Sequence, residues 1–118
     1  MSTNYPDTHL FLNGEWREAA AKESLEIINP ATEEVIGKVS HARKEDLDIA
    51  LNAAESAFNS WKNVSAYERS KILRKAADIV RSKADQIATL MTMEQGKPLI
   101  EAKTVSYTHL RAHETTCH

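Results

Sequence analysis

The residues best equipped for chemistry sit together near the end of the chain. His109 and His113 are four apart, and Cys117 and His118 extend the series within the run SYTHLRAHETTCH. Four borderline or soft donors match what zinc accepts. The pattern is not that of a zinc protease. His113-Glu114 opens an H-E-x-x-H motif, but Cys117 stands where the second histidine belongs. Nor is it the paired spacing of a zinc finger. Cys117 as a nucleophile, with His113 or His118 as base, would need a lowered pKa and a rigid setting, and neither is provided by default beside a chain end. The remaining chemistry is thinner still. Gly14, Gly37 and Gly96 lie too far apart to build a phosphate-cradling loop. Glu33-Glu34 falls in a turn, and Glu45, Asp46 and Asp48 suit the positive end of a helix dipole. Arg69, Lys71, Arg74, Lys75, Arg81 and Lys83 could track phosphates, yet they read as the solvated face of a helix in a chain of net charge -2.

The element that dominates the pattern is Ser65 to Pro98. Ser65 and Glu68 form a capping box, and Gly96 with Pro98 supplies the stop. Leu73, Ala76, Val80, Ala84, Ile87 and Met91 recur at steps of three and four, which predicts one apolar stripe along a single helix of about eight turns. Before it, Leu47, Leu51, Ala54, Phe58 and Trp61 predict a shorter amphipathic helix ending near Lys62, packed antiparallel on the long one. Asn13-Gly14 between Leu10-Phe11-Leu12 and Glu15-Trp16-Arg17 predicts a hairpin turn. Ser24–Ile28 and Val35–Val39 read as a second strand pair with Asn29-Pro30 opening the turn. Residues 1–9 read as a flexible start. A third helix begins at Pro98, and its periodicity stops near Val105.

Composition fits an ordinary soluble domain: 42% hydrophobic and 27% charged residues over 118 positions. No run of about 18 apolar residues suits a membrane span. The opening residues lack a secretory signal, and a lone cysteine suits a reducing compartment, so the expected location is cytoplasmic. Neither nucleic acid nor membrane is an expected partner.

Six strings, taken together, resemble the opening of an NAD(P)-dependent aldehyde dehydrogenase. They are Leu10–Trp16, Ile28–Thr32, Val35–Val39, Ala57–Trp61, Glu68–Leu73 and Leu90–Leu99, in family order. The last is similar to the succinate-semialdehyde dehydrogenase branch. Glu33 departs from the glycine common after Asn-Pro-Ala-Thr. The resemblance runs from about Leu10 to Lys103 and implies an α+β fragment of a larger α/β fold: a β-hairpin element followed by two to three amphipathic helices. It implies residues 10–105 as the N-terminal part of a cofactor-binding domain, with 106–118 a non-family, disordered tail similar to translated adapter or out-of-frame sequence.

What the resemblance implies for function is a larger protein that oxidises an aldehyde using NAD or NADP, as a homo-oligomer. The family's cofactor loop, general-base glutamate and nucleophilic cysteine lie beyond the matching stretch. No catalytic or cofactor-binding residue is therefore expected here, and Cys117 inherits no role. A monovalent cation, where members hold one, would map to Ile27, Ile28 and Glu94. Two other readings stand beside this one: a free-standing helical interaction module, and a small metal-binding protein using the His/Cys tail.

Overall fold

The computed structural model describes residues 4–115; within its last helix the side chains of His109, Leu110 and residues 112–115 lie outside the description. The elements run β1 (Leu10–Leu12), β2 (Glu15–Arg17), β3 (Ser24–Ile28), β4 (Val35–Ser40), α1 (Lys44–Trp61), α2 (Ala66–Ser82), α3 (Ala84–Gln95) and α4 (Leu99–Thr115). They divide into two compact units. One comprises residues 4–28 and 33–63, the other residues 29–32 and the chain from Val64 onward.

In the first unit, β1 and β2 pair antiparallel with Leu10 opposite Arg17 and Leu12 opposite Glu15. Asn13 at φ 52 and Gly14 at φ 79 make the two-residue turn, the left-handed pair that matches strand twist. Phe11 and Trp16 stack across the ladder with ring centroids 4.9 Å apart. β3 and β4 pair antiparallel from Ser24–Ser40 to Ile28–Val35, with an irregularity between Ile27 and Ile28. Part of the segment expected to be a loose start lies against β4. Thr8 forms a parallel bridge to Val39, because its N–H donates to the Lys38 carbonyl and its carbonyl accepts from Ser40, both at 2.8 Å.

The helix α1 inverts part of its expected face. Leu47, Leu51, Phe58 and Trp61 are exposed, and the inward side is Asp46 with half-buried Ile49, Ala50 and Ala53. Periodicity located an apolar stripe correctly but could not say whether these residues cover it. The antiparallel packing expected between α1 and the long helix concerns residues of different units.

The second unit corrects the single long helix. It breaks at Lys83 (φ -111, ψ 11), which ends α2 and opens α3. No glycine or proline marks the break. Its consequence is geometric: both halves contact α4. The fully buried apolar residues of this unit are small, Ala77, Ala84, Ala88 and Ala102, while Val80, Ile87, Leu90 and Met91 are half-buried. Small side chains let helix axes approach closely. Among the described residues the helices number four, where two to three were expected. The last one continues past Val105 to Thr115. Ser106 is buried, donating to the Ala102 carbonyl at 3.1 Å and reaching Met91 Sδ at 3.7 Å, so the tail boundary expected at Val105 does not coincide with a helix end. An exposed Lys103–Asp85 ion pair at 3.2 Å joins α4 to α3.

Candidate functional site

Of the predicted capping box only one half forms, with Ser65 Oγ accepting from the Glu68 N–H at 3.2 Å; Gly96 at φ 71 closes α3 as predicted by donating to the Thr92 carbonyl at 2.9 Å. Gly96 answers a second demand as well. A Cβ there would lie 2.9 Å from Pro30 Cγ, so the Asn29-Pro30 turn seats directly on the end of α3. That turn is held by Asn29, whose Oδ1 accepts from the Ala31 N–H at 2.9 Å. Two sequence strings separated by about sixty positions thus meet within one unit.

Sequence reasoning gave Asp46 only a place in a helix's first turn. Among the described residues it is the largest side chain that is fully buried. Its Oδ1 accepts from the Ala20 N–H and its Oδ2 from the Arg43 N–H, each at 3.0 Å. Arg43 is the residue preceding α1, so Asp46 makes the return half of a capping box; the arginine side chain has no acceptor to make the other half. The Arg43 and Ala20 amides hold the Asp46 carboxyl below its ordinary value, with help from the Arg17 charge and against the effect of burial. Nearby, the Arg43 guanidinium donates to Glu23, with Nε at 2.8 Å from Oε2. This carboxylate ties the segment after β2 to the start of α1. The two Asp46 hydrogen bonds are both to backbone.

The first unit also carries a small polar cleft of about 170 Å³ between the N-terminal segment and the β3–β4 pair. Asp7, His9, Glu18, Glu23 and Lys38 are among its walls. Charges of both signs line it, together with the Ser24 and Ser40 hydroxyls. Among the described residues, no group of three or more His, Cys, Asp or Glu side chains can hold a metal ion. The His109, His113, Cys117 and His118 set lies outside the described side chains. Ile27 and Ile28 stand on β3 in one unit, and Glu94, exposed on α3, belongs to the other. Among the described residues, no helix is long and apolar enough to cross a membrane.

With this geometry in place, comparison with known proteins assigns the class. The model of the aldehyde dehydrogenase family matches residues 16–114, and the chain belongs to that family. The match passes beyond Lys103, where the string resemblance ended. Similar curated proteins include aminoaldehyde dehydrogenase 2 of Solanum lycopersicum, 46% identical over 99 residues, covering 82% of this chain and 20% of that protein. A probable methylmalonate-semialdehyde/malonate-semialdehyde dehydrogenase of Dictyostelium discoideum is 42% identical over 96 residues, covering 81% and 18%. The chain thus spans about a fifth of the length of these relatives. Among solved structures, betaine aldehyde dehydrogenase of Staphylococcus aureus in complex with NAD+ superposes with TM-score 0.89 at 34% identity, covering 94% of this chain and 23% of that one. An aldehyde dehydrogenase of Bacillus cereus gives TM-score 0.91 at 31% identity, covering 97% and 24%. The fold is accordingly a piece of the α/β aldehyde dehydrogenase architecture.

Proposed function

We propose that this chain is the N-terminal part of the cofactor-binding domain of an NAD(P)+-dependent aldehyde dehydrogenase, serving that protein as scaffold rather than as catalyst. The observation that carries the reading is the mismatch between faces and core. The buried apolar residues among those described are alanines, while Leu51, Phe58, Tyr67, Ile72, Ile79 and Ile100 stand exposed at 49% or more. Faces so apolar belong against further structure, and relatives about five times as long supply it.

In the complete protein, a cysteine thiolate would attack the aldehyde carbonyl, hydride would pass to NAD(P)+, and water activated by a glutamate would release the acid. None of those groups maps onto residues 10–105. The string Leu90–Leu99 favours a semialdehyde such as succinate semialdehyde as the substrate. A cytoplasmic homo-oligomer is the expected context.

Two measurements test this. Replacing the corresponding opening segment of the Staphylococcus aureus betaine aldehyde dehydrogenase with residues 10–105 should leave a chimera that still reduces NAD+ with its aldehyde. A folded but inactive chimera would refute the scaffold role. Calorimetric titration of the isolated chain with NAD+ should show no binding, and micromolar affinity would refute the assignment of the cofactor site to other residues.

A further inference from the structure

We propose that Tyr5-Pro6-Asp7-Thr8 is an edge cap, a strap that keeps β4 from pairing with β4 of a second copy of this chain. β4 has two edges. Gly37 and Val39 lie opposite Ile27 and Leu25 of β3, and the alternate residues Lys38 and Ser40 turn their backbone groups the other way. Three of the four outward groups of that pair are met by the strap. The Lys38 carbonyl accepts from Thr8 N–H at 2.8 Å, the Ser40 N–H donates to the Thr8 carbonyl at 2.8 Å, and the Lys38 N–H donates to Asp7 Oδ1 at 3.0 Å. The third bond is the informative one. A side-chain carboxylate stands where a neighbouring strand would offer a carbonyl, so the strap closes the edge without extending a ladder another strand could join.

The strap is fitted to this place. A Cβ on Gly37 would sit 2.8 Å from Tyr5 Cδ1, so the tyrosine ring lies where any other residue would put a side chain. Behind it, β4 reads Val-Ile-Gly-Lys-Val-Ser, with three β-branched residues and no proline. Such a strand with an open edge is a template for self-pairing. Lys38, at its centre, is the only charged residue opposing that.

The test uses the full chain. In the intact protein the Lys38 and Ser40 amides should be protected from hydrogen exchange. In the double variant Asp7→Ala, Thr8→Pro they should exchange roughly tenfold faster while Val39 stays protected by β3. The variant should also self-associate at lower concentration in sedimentation velocity than the parent. Adding Ser40→Pro, which removes an outward donor and leaves the β3 side untouched, should reverse that increment. Unprotected Lys38 and Ser40 in the intact chain would overturn the proposal. So would a strap variant that associates no more than its parent, or an increment that Ser40→Pro leaves in place, since association through the exposed apolar faces is common to all three proteins.

Discussion

Glu33 is a backbone problem that one substitution should solve. It follows the Asn29–Thr32 turn at φ 61, a left-handed conformation that crowds Cβ against the following carbonyl oxygen. The family resemblance predicts glycine there, and the geometry explains why. For an L-residue that conformation costs about 1–2 kcal/mol. Against this, glycine gives up about 0.5–1 kcal/mol because it loses more freedom on folding. The Glu33 side chain is exposed, so little packing is lost with it. Glu33→Gly should therefore stabilise the β3–β4 pair by about 0.5–1 kcal/mol. Amide exchange across Leu25–Val39 would read this as protection raised roughly two- to fivefold. Glu33→Ala is the control, since it removes the charge beside Glu34 and keeps the Cβ. If alanine stabilises as much as glycine, carboxylate repulsion rather than backbone strain is the cause. If glycine is neutral or harmful, the reasoning about φ is wrong.

Other outcomes follow from named contacts. Gly96→Ala should cost at least about 1–2 kcal/mol from its positive φ, with more from the Pro30 contact, measured by urea unfolding of the α2–α4 unit. Ala102→Leu should cost about 1–3 kcal/mol by overfilling a position with no exposed surface, whereas Ile100→Lys, at 81% exposure two residues away, should be neutral in stability and reduce ANS binding. Asp46 has a lowered folded pKa, so its contribution is complete above its ordinary value of 3.8 and is lost as pH falls through the folded value. Asp46→Asn should flatten that acid limb and lower stability at neutral pH, read by circular dichroism across a pH series.

How far the sequence reached depended on whether the signal was local. Asn13-Gly14, Ser65 with Glu68, and Gly96 before Pro98 each specify a turn or cap through one or two residues' own preferences, and all three form. The break at Lys83 was invisible because it answers to α4, a partner about twenty positions on, and carries no glycine or proline. Asp46 differs for a related reason. Its first-turn position predicts a helix-dipole partner, while its second hydrogen bond goes to Ala20, 26 residues away. The tail followed the same rule, since a polar string after Val105 does not announce that Ser106 will pack beneath Ala102 and Met91.

The apolar stripes carry a different lesson, because periodicity reports what a helix was selected to touch, wherever that partner resides. Leu47, Leu51, Phe58 and Trp61 on α1, and Ile72 and Ile79 on α2, form regular faces that the described residues do not cover. Each large aliphatic left in water forgoes about 1.5–3 kcal/mol, and a whole domain retains only about 5–15 kcal/mol. Several uncovered positions are thus comparable to an entire stability margin. On the scaffold reading proposed above, these faces meet further structure of a larger α/β protein, which ties the pattern in the sequence to the family the comparisons assign.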